Sequence, residues 1–309
     1  MGKVHPPGNP RRGVERASVA APRLEEMWVR AGGRNVPARE ATVCVMDHGF
    51  LYGDGVYETL RTYGGQPFRF EDHVARFRQS AAGVRIPFGY SDRQLLEELE
   101  ALRSALPAGD HYLRMVLTRG VADLGYGLDP RQEPRLLILG GPFHDPPEWT
   151  WSRGLKAGVV SVRRTSVRAL SPGYKTCNLL NARLGHLEAL DRGWDEALML
   201  NDQGNLTESS ASNLFLVLPS GDLTTPDLSE GLLGGVTRAV LLELADREGI
   251  PARIEALPAG VLAQCSEAFL SSTTRAVGPI GELDGRDLPV PGPVTARLIR
   301  AFRDYAGGL

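Results

Sequence analysis

The sequence predicts an α+β protein organised in two domains. Three observations carry this expectation. The chain has 309 residues, more than a single hydrophobic core usually serves. Helix-period and strand-like apolar segments occur in both halves. Residues 140–149, GGPFHDPPEW, are dense in the two residues that interrupt regular structure. The expected division is a flexible tail over 1–22, an N-terminal domain over 23–140, a linker over 141–149 and a C-terminal domain over 150–309.

The elements follow in order. Residues 1–22 are rich in Pro, Gly, Arg and Ala without periodicity, and ordered structure is expected from about Met27. Ala41–Val45 is a strand candidate. VYETLRTY (Val56–Tyr63) and FRF (Phe68–Phe70) flank Gly64-Gly65, which reads as a hairpin. Val74, Phe77 and Ala81 recur at helical spacing, so Glu71–Ala82 is a helix closed by Gly83. A second helix covers Asp92–Ser104, and HYLRMVLT (His111–Thr118) and PRLLILG (Pro134–Gly140) are strands. Past the linker, LKAGVVSV (Leu155–Val162) is strand-like. In Asn178–Gly193, Leu180, Leu184, Leu187 and Leu190 share the apolar face of a helix stopped by Gly193. EALML, NLFLVL and EAFLSS are further strands, and Val236–Gly249 is another amphipathic helix.

The formal charge is −2, with 42% hydrophobic and 23% charged residues and both signs dispersed, so nucleic acid and anionic membranes are not expected partners. Small-molecule substrates are. No apolar run approaches the ~20 residues that span a bilayer. The N-terminus carries no signal-peptide pattern. Three scattered cysteines, Cys44, Cys177 and Cys265, form neither a disulfide framework nor a zinc spacing. These features point to a reducing cytoplasm and no metal centre.

Chemistry centres on Lys175 in SPGYKTCNLLNARLGHLEAL. A lysine that captures an aldehyde must sit outside regular structure with its pKa lowered by burial or nearby charge. Lys175 follows a turn-like S-P-G and precedes a helix. A lone lysine there is ordinarily a solvated surface residue, so its company matters. Glu208, in GNLTESSASNLFLV, stands between a turn and a strand, where a carboxylate can face the ring nitrogen of a pyridine cofactor. Two segments can bind a phosphate. Gly235, Val236 and Thr237 open a helix, where free N–H groups and the dipole favour an anion, and Ser272, Thr273 and Thr274 follow a strand. Both also suit plain helix capping. Arg76 offers a cationic partner.

The ordered segments YGDGVYETLR, HVARFRQSA, HYLRMVLTRG, YKTCNLL, NLTESSASNLFLV, GGVTRA and FLSSTTR resemble the fold-type IV pyridoxal-phosphate enzymes over residues 27–305. That family includes branched-chain and D-amino acid aminotransferases, (R)-amine transaminases and aminodeoxychorismate lyase. The resemblance implies a small N-terminal α/β domain, a larger cofactor-binding C-terminal domain, the cofactor between them, and a homodimer in which a loop of one subunit borders the other's site. It implies Lys175 as the Schiff-base residue and proton shuttle. Glu208 would meet the pyridine nitrogen, and Arg76, Val236, Thr237, Ser272 and Thr273 the phosphate. Arg164 would lie on the hydroxyl side of the ring, with Leu232 and Leu233 stacked nearby.

For the substrate, the features diverge. Tyr112-Leu113-Arg114 resembles the Tyr-x-Arg pattern of branched-chain enzymes. Leu180 stands where those enzymes carry Tyr, and NLL there is closer to the D-amino acid enzymes. Thr59 resembles the lyase, whereas Arg114 stands where the lyase has Lys. Arg61 and Arg114 suit a substrate carboxylate, and Tyr52, Tyr57, Tyr112 and Thr274 are expected at the substrate pocket. His48 and His73 are expected in structural roles. The leading expectation is an aminotransferase moving the amino group of a small, aliphatic or branched-chain amino acid to a keto acid such as 2-oxoglutarate, by a two-stage ping-pong scheme. D-amino acid or (R)-amine transamination, pyruvate release by a lyase, and a non-catalytic cofactor-binding protein are the alternatives.

Overall fold

Alternation of side chains decides the first sheet. In β3 (Gly55–Tyr63) Val56, Glu58, Leu60 and Thr62 face inward, and the residues between them are half-exposed. The computed structural model describes residues 22–307; apart from Pro22, the expected tail over 1–22 lies outside them. The N-terminal sheet is antiparallel. It contains β1 (Trp28–Ala31), β2 (Arg34–Pro37), β3, β4 (Gln66–Pro67), β5 (His111–Thr118) and β6 (Arg135–Pro142), in the order β2-β1-β6-β5-β3-β4. A short α1 (His48–Tyr52) precedes β3. Helices α2 (Phe70–Gly83) and α3 (Asp92–Arg103) cover one face, burying Val74, Phe77, Leu95 and Leu99 against Val56, Leu60, Leu113 and Met115. Ser91 begins α3 with a reciprocal capping box to Gln94.

The second half closes on itself. After a short α4 (Trp149–Ser152) come β7 (Leu155–Val159), α5 (Leu180–Asp191), β8 (Glu196–Leu200), β9 (Leu206–Ser209), β10 (Asn213–Val217) and β11 (Leu223–Pro226). Then follow α6 (Val236–Arg247), β12 (Ala252–Glu255), β13 (Glu267–Ser272), β14 (Ala276–Leu283), β15 (Arg286–Asp287) and α7 (Pro293–Gly307). Pairing runs β10-β13-β14-β7-β8-β9 and returns from β9 to β10 through Glu208 and Asn213, a barrel-like ring. Leu198, Leu200, Leu214, Leu216 and Leu270 fill its interior. The alternate residues Phe215, Val217 and Phe269 pack outward under α6 and α7. Strands buried on both faces read as continuous apolar runs, which is why EALML, NLFLVL and EAFLSS are recognisable without a period.

Three expectations are corrected. Ala41–Val45 forms no strand; Val43 and Val45 are exposed and the segment has no ladder partner among the described residues. The hairpin at Gly64-Gly65 exists, but its second strand is Gln66–Pro67. Phe68 lies in a turn, and Arg69 takes a left-handed conformation at the start of α2. In α5 the leucines face outward: Leu180, Leu184, Leu187 and Leu190 are exposed, while Ala182, Gly185 and Ala189 are buried. The small residues let the helix lie close on β8, where Met199 stands 3.4 Å from the position a Cβ on Gly185 would take. The leucine stripe is therefore a surface, not a core contact.

Candidate active site

Lys175 lies in the irregular segment before α5, and its backbone is tied to two elements of the first half. Its carbonyl accepts from the Tyr57 N–H on β3 at 2.9 Å, and its own N–H donates to Ser80 Oγ on α2 at 3.0 Å. The Cys177 N–H donates to the Gly55 carbonyl at 2.8 Å. Behind it, Gly83 makes room for the Tyr174 ring: a Cβ there would fall 2.4 Å from it and push the ring aside. So fixed, the half-buried Lys175 Nζ stands 4.5 Å from the centre of the Tyr57 ring, and the Arg114 guanidinium carbon lies 3.9 Å from the same ring.

Glu208, at the end of β9, is buried in the same cleft. Its Oε1 accepts from Arg164 Nη2 at 2.6 Å, and its Oε2 from Asn213 Nδ2 and the Leu233 N–H, each at 3.2 Å. Burial raises the pKa of this carboxyl above its ordinary value, against the opposing pull of Arg164, the Leu233 N–H and Lys175. Arg164 Nε is buried without a partner among the described residues.

The other end of the cleft is built for an anion. Arg76 on α2 is gripped through both carboxylate oxygens of Glu58, at 2.7 and 2.8 Å, and its Nη1 donates to the Gly234 carbonyl at 2.9 Å. Glu58 is fully buried and also meets His73 Nδ1 at 2.9 Å. Burial favours its neutral form, but Arg76 and His73 outweigh that and hold it at about 2. Opposite, α6 begins at Val236 with Gly235 as cap and no side-chain oxygen taking its free N–H groups among the described residues. A Cβ on Gly235 would sit 2.0 Å from Asn213 Oδ1, so a side chain there would displace the buried Asn213 amide that bonds Glu208. Thr237, Ser272 and Thr273 complete this wall, and Ser271 Oγ beside them is buried without a partner among the described residues.

The cleft thus gathers Lys175, Glu208, Arg164, Arg76, Leu233, Val236, Thr237, Ser272, Thr273 and Tyr57. Arg114 does not line it; its guanidinium packs against the Tyr57 ring, which does. Tyr112 and Thr274 are buried but do not line it. Tyr52 does not line it either; its hydroxyl accepts from the Gly125 N–H at 3.1 Å, midway along the segment between β5 and β6. Arg61 lies instead between the rings of Tyr63 and Phe143, facing a second cavity. Sequence reasoning missed Glu58, Ser80, Tyr174 and Asn213. Glu58 carried a usable signal, since it falls on the inward face of β3 between Val56 and Leu60 and a buried carboxylate requires a cation. His48 Nε2 lies 3.1 Å from the Asp123 carbonyl. Among the described residues no cluster of acidic, His or Cys side chains can hold a metal ion.

An amine held outside regular structure, a buried carboxyl with raised proton affinity and an anion cradle of arginine plus helix terminus define a site for a phosphorylated aldehyde cofactor. Residues 55–283 match the family model of amino-transferase class IV. The chain belongs to that family and is a transaminase dependent on pyridoxal 5′-phosphate. It is 37% identical over 283 residues to a Methanocaldococcus jannaschii protein provisionally named a branched-chain-amino-acid aminotransferase, covering 90% of this chain and 96% of that one. It is 32% identical over 280 residues to the D-alanine aminotransferase of Listeria monocytogenes, covering 89% and 95%. The branched-chain aminotransferase of the thermophilic archaeon Thermoproteus uzoniensis, solved with norvaline, superposes with a TM-score of 0.83 at 32% identity, covering 91% and 95%.

The orphaned polar atoms of Arg164 and Ser271 and the uncapped start of α6 fit this cofactor. When bound, it supplies an aldehyde that captures an amine and a ring that draws electrons from the carbon bearing that amine.

Proposed function

We propose that this transaminase takes the amino group of a small aliphatic or branched-chain amino acid and delivers it to a keto acid such as 2-oxoglutarate. The observation that carries the reading is Arg114 stacked on the Tyr57 ring while Lys175 Nζ meets that same ring. A guanidinium suits a carboxylate, and Tyr57 links the one on Arg114 to the wall of the cleft that holds the amine. Lys175 Nζ holds the cofactor and moves the proton of the reacting carbon. Glu208 keeps a proton available at the ring nitrogen. Arg76 and the Val236 and Thr237 N–H groups hold the phosphate, and Arg164 orients Glu208.

The domain division at 141–149 belongs to the same reading, as does a homodimer. The outward leucines of α5 and the loop carrying Leu124, Tyr126 and Leu128, with Tyr126 95% exposed, are apolar surface of the kind a partner covers. A cytoplasmic location agrees with three unpaired cysteines and with no described helix long and apolar enough to cross a membrane.

A half-reaction screen tests the substrate. Conversion of the bound cofactor's visible absorption is followed with L-leucine, D-alanine, D-glutamate and (R)-1-phenylethylamine. Fastest conversion by L-leucine is expected. Conversion by D-alanine alone, or keto-acid-independent pyruvate release from aminodeoxychorismate, overturns the assignment. The attachment is tested by borohydride reduction and mass spectrometry, with the cofactor expected on Lys175.

A further inference from the structure

A second pocket stands apart from the cofactor cleft. A cavity of about 430 Å³ lies between the end of β3, the segment leading into α4, and α7. It shares no lining residue with the cofactor cleft. Tyr57, which does line the cleft, is four residues from Arg61 along β3, roughly 13 Å at the rise of a strand. The size falls within the roughly 300–1,000 Å³ usual for small-molecule pockets.

Its charge is one-sided. Arg61, Arg275 and Arg303 face it, with Asp145 as the only carboxylate in its wall among the described residues. Asp145 stands 3.5 Å from Arg61 with 77% of its side chain exposed, a weak counter-charge. Arg275 is 8% exposed. Its Nη2 donates to Glu196 Oε1 at 2.8 Å, and among the described residues its Nη1 has no partner. Arg61 Nε is likewise buried and unpartnered, its guanidinium carbon 3.6 Å from the Phe143 ring centre and 4.1 Å from that of Tyr63. Arg303 makes no ion pair among the described residues and lies 5.8 Å from the Trp151 ring. Buried guanidinium nitrogens without acceptors are costly, and an anion is what satisfies them. The rest of the wall is apolar, with Tyr63, Trp151, Val277, Ile299 and Phe302.

We propose that this cavity is a second ligand site, for a small organic carboxylate whose apolar body packs on the aromatic wall while its oxygens meet Arg275 and Arg303. The inference is independent of which amino acid the cleft accepts. Inorganic phosphate shares the charge but has no body for the apolar wall, so it separates this site from a bare patch of positive charge.

The test uses the full chain loaded with pyridoxal phosphate and the ultraviolet-transparent probe cyclohexanecarboxylate. Tryptophan emission reports the cavity through Trp151, and visible absorption of the cofactor reports the cleft. A saturable emission change is expected that vanishes in Trp151→Phe and is not displaced by equal inorganic phosphate. Arg303→Gln and Arg275→Lys should each weaken it about tenfold, the loss of one charge-assisted hydrogen bond. Arg275→Lys keeps a cation beside Glu196, so the fold is preserved. Ala306→Leu should fill the cavity and abolish the signal while the circular dichroism and cofactor absorption stay unchanged. Equal affinity across these variants, a response confined to the cofactor absorption, or displacement by phosphate each overturns the proposal.

Discussion

Two buried carboxylates, Glu58 and Glu208, belong to the same cleft region, each paired with one arginine, and their proton affinities move in opposite directions. Burial raises both. Glu58 receives Arg76 through two parallel hydrogen bonds and His73 as a third donor, and ends at about 2. Glu208 receives a single bond from Arg164, an amide from Asn213 and one backbone N–H, and ends above its ordinary value. Geometry of contact, not the presence of an arginine, separates a locked anion from an exchangeable proton. Glu58 acts as a fixed strut for Arg76, the arginine proposed for the phosphate. Glu208 suits the end where a proton must be shared.

The largest effect is expected between the two clusters. The charge of Lys175 lowers the proton affinity of both Glu208 and His73, although burial is the larger influence on each. Lys175→Ala should lower the half-reaction rate by about 10⁴-fold, the upper end of a proton-transfer group's contribution. Stopped-flow absorption measures it. A variant within tenfold of the native rate would remove Lys175 from the chemistry. Next comes Glu208→Gln, expected to cost about 10²–10³-fold in rate, as for other preorganised electrostatic contacts, with little change in melting temperature.

Glu58→Gln should do the reverse and break the strut. Cofactor dissociation constants should rise roughly tenfold, with the rate recovering at saturating cofactor, because a charge-assisted bond to Arg76 is lost. The acid limb follows from the sign of the shift. The folded pKa lies below the ordinary 4.5, so Glu58 adds stability above that value and loses it as pH falls toward about 2. Urea unfolding at pH 5 and pH 3 should show a native loss that Glu58→Gln reduces. Glu208 has the opposite sign, contributing most at low pH and less as pH rises past the unfolded value.

How far the sequence spoke differs between these clusters too. Lys175, Glu208, Val236 and Thr237 were readable because their segments keep family-like order, and the cleft-lining residues fell where turns meet strands or helices. Glu58 was overlooked because a Glu within VYETLR looks like the polar side of an ordinary strand; its burial depends on α2 arriving overhead, a contact between separate elements. Arg61 was expected at the substrate because its strand is right. The Phe143 ring, placed by the segment after β6, turns it toward the second cavity. Strands buried on both faces were found from their apolar runs, whereas β9, β11 and β12, short and partly polar, carried too little pattern. The leucines of α5 misled in an instructive way. A helical stripe identifies an apolar face, but which face meets the body depends on fit, and the small face of Ala182, Gly185 and Ala189 fits β8 more closely.

That stripe supplies the prediction with the smallest expected effect on either carboxylate. Among the described residues neither Glu58 nor Glu208 has a hydrogen bond to α5, and Leu184 and Leu187 are 48% and 40% exposed. Replacing both by lysine removes no buried contact, so thermal stability of the single chain should change by less than ~1 kcal/mol, the range of surface substitutions. If the leucines form part of a homodimer interface, two charges per chain placed in its apolar centre should dissociate it, because an unpaired charge taken from water is expensive. Sedimentation velocity should then show native dimers and variant monomers, while the cofactor spectrum and the pH responses of the two carboxylates stay as they were. A variant that remains dimeric would move the interface elsewhere, with the loop around Tyr126 next in line. A variant that loses its cofactor spectrum would mean that the cleft depends on its partner, and the contrast between Glu58 and Glu208 would then be a property of the pair of chains.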